Sequence, residues 1–289
     1  MKNKNKLAIG SVQFGIRYGL NKSQVGRDEV DAILFYAYEK GIRYIDTAQD
    51  YGDSEKIIGE VLYNKNLNFK IITKLSSKNI KNIRDSLDTS LNRIQTNRIY
   101  GLLFHDFKTF KDNIFAIQEV EYLKSQNKVD KIGFSLYFPS ELDFLLNNNI
   151  KFDILQIPFN LFDRRFEPYF EILQKLNVEL HVRSVFLQGL FFVKPEKLHP
   201  HFQTIQDKLI LLNNFCNKNS ISIASVCLKF VDSYKAISNI VIGIDNLQNL
   251  EENINAYFKD VTKININELI SNLKIDNEEI ILPFKWKLN

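Results

Sequence analysis

Cysteine is scarce in this chain. The two present, Cys216 and Cys227, do not have CxxC spacing, and the four histidines form no metal-binding pattern with them. A disulfide-stapled secreted scaffold does not fit that usage, and a reducing, cytoplasmic setting is the expectation. No run approaches the ~20 consecutive apolar residues that a membrane-spanning helix needs. The start, Met1 to Lys6, is basic as in a signal peptide, but the apolar run behind it is broken by Gln13 and Arg17. A small-residue cleavage pattern is also missing. The six prolines are scattered, and no Pro/Gly/Ser-rich linker divides the chain. Charge of one sign is lacking too: 38 Lys and Arg against 34 Asp and Glu leave a formal +4. That is too weak to indicate a nucleic acid or a membrane surface as partner.

What is present is an ordinary globular mixture: 289 residues, 45% hydrophobic, 25% charged and 12% aromatic. A chain of this length buries roughly 75% of its unfolded surface, so it needs no metal or disulfide to hold it. Short β-rich runs alternate with longer amphipathic segments. The expected strands are 7–12, 43–46, 69–74, 99–105, 131–135, 153–157, 178–184 and 239–242. Helical patterns include 28–40, 79–94, 113–125, 140–147 and 206–218. Asp28 reads as a helix cap and Gly41 as the residue that ends that helix.

Strands that alternate with helices pair in parallel through crossovers, and eight of them close a (β/α)8 TIM barrel, usually of about 250 residues. The competing architecture is an open doubly wound sheet, which carries GxGxxG after its first strand. Here that place reads Gly10-Ser11-Val12-Gln13-Phe14-Gly15, so the fingerprint is absent. The expectation is one α/β barrel domain over residues 1–289.

In such a barrel, chemistry belongs at the C-terminal ends of the strands. Asp46, Lys74 and His105 end the second, third and fourth expected strands, and Tyr51 follows Asp46 by five residues. Singly, each has an ordinary explanation: a turn aspartate, a half-buried tyrosine, a solvated lysine, a structural histidine. Together, at successive strand ends, they form a proton-handling group. A phenol with pKa near 10 is too weak an acid at neutral pH. A nearby ammonium lowers that pKa, and a carboxylate holds the ammonium in place. Such a group donates a proton to an oxygen that gains charge when its carbonyl accepts hydride.

The segment Asp46-Thr47-Ala48-Gln49-Asp50-Tyr51-Gly52-Asp53-Ser54-Glu55, followed by Gly59, resembles the aldo-keto reductase signature DTAxxYGxSExxxG. Ile72-Thr73-Lys74 and Leu103-Phe104-His105 continue the likeness, which runs from Leu7 to about Asn253. The resemblance implies a (β/α)8 barrel that reduces a carbonyl with NAD(P)H. It makes Tyr51 the acid/base, Lys74 and Asp46 its tuners, and His105 the substrate orienter. It places Gly10 and Ser11 at the nicotinamide ribose, Ser135 and Gln156 at the carboxamide, and Ser184 at the pyrophosphate. Leu136 stands where relatives carry Asn, and Arg183 replaces the aromatic residue that stacks on the nicotinamide. A planar guanidinium can stack there, or pair with a nearby acid.

Glu252 and Asn253 match the adenine-gripping pair. Gly243 and Asn249 stand where many relatives place cations for the 2′-phosphate, and Asp245 lies between them. NADH acceptance at least equal to that of NADPH is therefore expected, unless Lys194 or Lys197 reaches the phosphate. Residues from about 260 onward are expected as a helix and tail over the pocket. Phe14, Tyr18, Phe107, Phe138 and Trp286 are candidates for its mouth. The expected substrate is a small carbonyl compound, with a sugar or sugar nucleotide in view, and the expected state a monomer or small homo-oligomer. Two other classes stay open: a cofactor-sensing subunit that turns over weakly, and a sugar epimerase that retains its cofactor.

Overall fold

The computed structural model describes residues 5–261 and 264–288. Eight parallel strands close into a barrel in sequence order: β1 Leu7–Gly10, β2 Tyr44–Asp46, β3 Lys70–Leu75, β4 Ile99–Phe104, β5 Val129–Ser135, β6 Ile154–Pro158, β7 Glu179–Arg183 and β8 Ile237–Gly243. The ring closes where β1 pairs with β8, Gly10 opposite Gly243. All eight expected strands are present, most of them trimmed at an end. The expected helix over 79–94 begins only at Ile83, after a separate 3-10 turn, Ser77–Asn79. Asp28 is not the cap of its helix. Gly26 takes that position, and Asp28 and Glu29 sit in the first turn, where the N-terminal dipole favours acids. Gly41 does end that helix, at φ +82.

Helices cover the outside and bury a continuous apolar layer against the strands. Phe104, Phe110 and Phe134 form one knot of this layer, with centroids 4.7–5.1 Å apart. Inside the barrel lie Ala8, Tyr44, Ile72, Leu103, Ile154 and Val241. The N-terminal mouth is polar. Glu179 accepts from Tyr100 Oη and Lys131 Nζ, both at 2.7 Å, while His181 Nε2 lies 3.0 Å from Asn239 Nδ2.

The C-terminal segment wraps the other end. Its helix Asn267–Leu273 is followed by an Ile275 N–H that donates to Phe162 O at 3.0 Å. Further on, Phe284 packs edge-on against Tyr137, 5.0 Å between centroids. Trp286 packs on Phe202 and donates to Ile280 O. Phe14 is fully buried, and Phe107 packs on Phe144, so neither forms a mouth.

Candidate active site

The C-terminal ends of the strands surround a cleft of about 530 Å³. Asp46, Tyr51 and His105 line it, together with Gly10, Ser11, Ser135, Gln156, Arg183, Ser184, Gly243, Asp245 and Asn249. Lys74 lies just beneath. It is buried, and its Nζ donates to Asp46 Oδ2 at 2.6 Å and to Thr47 O at 2.9 Å. The same Nζ is 5.1 Å from the centre of the Tyr51 ring, and the His105 ring stands edge-on to Tyr51 at 5.8 Å. The four residues expected to act together are therefore adjacent.

Local sequence explains how Tyr51 is held. Gly15 ends the short helix Val12–Gly15, and a Cβ on it would fall 1.7 Å from Tyr51 O. Gly52 adopts φ +55, a conformation that disfavours side chains. The two glycines let the Tyr51 loop lie directly on the β1 loop. Gln49 anchors the same loop from behind. Its Nε2 donates to Ser86 O and Ser90 Oγ, and its Oε1 accepts from Ser76 N at 3.0 Å and Ser86 Oγ at 2.8 Å.

The electrostatics differ from the expectation in one respect. Burial, reinforced by the Asp46 carboxylate, pushes the Tyr51 phenol well above its ordinary value, and the Arg183 guanidinium only opposes this. Lys74 is pushed down by burial while Asp46 pulls it back. The ammonium is engaged by Asp46 and a backbone carbonyl, so it does not lower the phenol's net pKa here. A phenol raised in this way keeps its proton through neutral pH.

Several cleft residues have valences that the chain leaves open. Gln156 is fully buried; its Nε2 donates to Asp46 Oδ1 at 2.6 Å, but its Oε1 has no partner. A buried amide oxygen without a donor is costly, and a carboxamide N–H is the group it lacks. Ser135, one strand away, makes no side-chain hydrogen bond among the described residues. The nicotinamide carboxamide therefore fits the pair. Arg183 forms no ion pair among the described residues. Its guanidinium lies 4.1 Å from the Tyr137 ring centre and donates to Leu136 O at 3.2 Å, so the acid-pairing alternative does not hold.

Two loops clasp the cleft. Ser184, Leu187 and Gln188 all have positive φ, and Gln188 O accepts from Leu20 N while its Nε2 donates to Tyr18 Oη at 2.8 Å. Of the five aromatic candidates for the mouth, only Tyr18 lines the cleft. Ser11 uses its hydroxyl on Asp46 O, 2.9 Å away. Asp245 Oδ1 accepts from Gln13 Nε2 at 3.0 Å and from Ser23 Oγ. Glu252 and Asn253 do not line this cleft. They border a neighbouring cavity of about 650 Å³, which shares Phe192 and Asn249 with it. Lys194 and Lys197, exposed and without ion pairs among the described residues, line the cleft itself. Sequence reasoning passed over Gln49 and Asp50, although both stand inside the motif, at its first two variable positions.

A family model for the aldo/keto reductase family matches residues 6–271. An uncharacterized oxidoreductase, YqkF, of Bacillus subtilis is 25% identical, covering 94% of this chain and 97% of that protein. The D-arabinose 1-dehydrogenase of Saccharomyces cerevisiae is 22% identical over 84% of this chain and 80% of its own. Among solved structures, the holo form of aldo-keto reductase AKR11C1 from Bacillus halodurans superposes with a TM-score of 0.74 at 19% identity. It covers 93% of this chain and 91% of that one, a likeness of fold. A family match over nearly the whole length, on a closed eight-stranded barrel, means that the chain belongs to the aldo/keto reductase family and is an NAD(P)H-dependent oxidoreductase.

Proposed function

We propose that this enzyme reduces the carbonyl of a small, sugar-like molecule, with Tyr51 as the proton donor. The observation that carries the reading is the position of Tyr51. Its ring stands between the buried Asp46–Lys74 pair and His105, on the wall of the cleft. Bound NAD(P)H supplies the hydride to the carbonyl carbon. The carbonyl oxygen then takes its proton from Tyr51 Oη, and the product is an alcohol. Raised by burial, the phenol holds that proton at neutral pH until charge builds on the oxygen. The Asp46–Lys74 pair supplies a fixed, neutralised floor beneath it, and His105 orients the substrate at the rim. Gln156 Oε1 and Ser135 would hold the carboxamide, and Ser184, Gly243, Asp245 and Asn249 would follow the rest of the cofactor. D-Arabinose 1-dehydrogenase among the relatives supports a sugar-type substrate.

On the cofactor, the reading is that NADH serves at least as well as NADPH. Asp245 lines the cleft and would repel a 2′-phosphate while accepting from a ribose hydroxyl. The decisive experiment is Tyr51→Phe. Reduction across an aldehyde and sugar panel should fall by at least ~10²-fold, the range for a lost general acid. Cofactor affinity should be unchanged. Near-normal turnover by the variant would remove Tyr51 from the role.

A further inference from the structure

Arg183 is a half-buried cation on the cleft wall, and no carboxylate pairs with it among the described residues. Strand register sets its place. On β7 it pairs with Pro158, two residues beyond Gln156 on the neighbouring β6, and Gln156 in turn pairs with Ser135 on β5. Its Nη2 donates to Leu136 O at 3.2 Å, the carbonyl next to Ser135, while Leu136 N donates to Gln156 O at 2.9 Å. The guanidinium is thus tied to the strand ends whose open groups, Gln156 Oε1 and the Ser135 hydroxyl, fit a nicotinamide carboxamide. The carboxylates around the cleft are turned to other donors. Asp46 serves Lys74 and Gln156, and Asp245 serves Gln13 and Ser23. Asp50 accepts from Ser76, with His105 Nδ1 3.4 Å away, and Glu141 accepts from the Tyr137 and Phe138 amides. The charge of Arg183 therefore acts on whatever enters. Within the chain it already opposes the rise of the Tyr51 phenol.

An oxidised nicotinamide ring carries a positive charge, and a reduced one is neutral. An unneutralised cation beside the carboxamide site repels the first and not the second, and in a partly desolvated cleft that repulsion is weakly screened. We propose that Arg183 makes the site select the reduced cofactor over the oxidised one. The cleft then stays loaded with NAD(P)H where the oxidised form is in excess, and it gives up the oxidised form once a carbonyl has taken the hydride. By the cycle that joins binding to hydride transfer, the transfer is less favourable in the cleft by the same factor. The inference rests on the carboxamide placement in the reading above, and not on Tyr51 or on the substrate.

Calorimetric titration of the full-length protein tests it without turnover, with NADH against NAD+ and NADPH against NADP+. In each pair that binds, the reduced form should bind at least ~10-fold tighter, a small part of the repulsion between two unit charges at short range near a protein surface. Arg183→Gln keeps an amide that can donate to Leu136 O but loses the charge. It should bind the oxidised form more tightly and the reduced form nearly as before, so that the ratio falls about tenfold. Arg183→Lys keeps the charge and should keep most of the ratio. The same ratio in the wild type and Arg183→Gln would overturn the inference, and so would an equal loss of both forms. ADP-ribose, which lacks the nicotinamide, gives a check on the wild type alone: NADH should bind more tightly than it, and NAD+ should not. If NAD+ gains as much over ADP-ribose as NADH does, the cation does not act on the ring. Failure of every dinucleotide to bind would overturn the carboxamide placement and the inference with it. If Tyr51→Phe keeps its turnover while the ratio follows the charge at position 183, the function reading fails and the inference stands.

Discussion

The two mouths of the barrel use the same kinds of side chain to opposite ends. At the N-terminal mouth, Glu179 is met by Tyr100, Lys131 and His181, and Asn239 meets His181 in turn. Among the buried side-chain atoms of the described residues there, only the Nδ1 of His181 is left without a partner. At the C-terminal mouth, Gln156 Oε1, the Ser135 hydroxyl and the Tyr51 hydroxyl lack partners among the described residues, and Arg183 lacks a carboxylate. A polar group closed by its own chain supports the fold, and one left open at the strand C-termini waits for a ligand. Residue type does not separate the two uses; what separates them is whether the chain fills the valences.

Breaking the floor of the upper mouth should cost most. Lys74→Met leaves the Asp46 carboxylate buried with only Gln156 as donor among the described residues, and loss of one partner of a buried pair costs about 3–5 kcal/mol. Denaturant unfolding should show that loss together with abolished reduction; a variant of wild-type stability would mean the pair is not an energetic unit.

The lower mouth should break more gently and in a pH-dependent way. Burial pushes the Glu179 carboxyl up, but His181, Lys131 and Tyr100 outweigh it and hold the group at about 2, against an ordinary 4.5. The folded value is the lower one, so the stabilisation is complete above about pH 4.5, shrinks as pH falls and is gone near pH 2. It is worth about 2–3 kcal/mol at neutral pH. Glu179→Gln should lose that amount at pH 7 in chemical unfolding, and its gap to the wild type should narrow with acid. A constant gap from pH 7 to pH 3 would refute the assignment.

Cofactor choice sharpens the comparison by the smallest margin. Titration of both reduced cofactors should give NADH a dissociation constant equal to or below that of NADPH. If NADPH binds more than tenfold tighter and Lys194→Ala with Lys197→Ala removes the difference, the open cations of the β7 loop supply the phosphate site instead.

Much of this was readable in the sequence, for physical reasons. Strand and helix periods differ, so eight alternations gave the barrel. The site motif is contiguous from Asp46 to Glu55, and strand ends placed Lys74 and His105 beside it. Contacts that join distant segments were not readable. The Gln49 anchor depends on Ser86 and Ser90, one helix away, and the Asp50–His105 contact on the spacing of β2 and β4, with β3 between them. Nor could a motif show that burial outweighs the lysine at Tyr51, because desolvation depends on everything packed around the phenol.

The central claim, that open valences mark the ligand end and closed ones the supporting end, is tested most directly by cofactor-induced thermal shifts. A ligand at 100 times its dissociation constant adds about 2.7 kcal/mol to the folded state. Glu179→Gln should melt below the wild type yet gain the full shift when NADH is added. Gln156→Leu, which removes the orphaned amide oxygen, should lose much of that shift. An undiminished shift in Gln156→Leu, or one abolished in Glu179→Gln, would contradict the account.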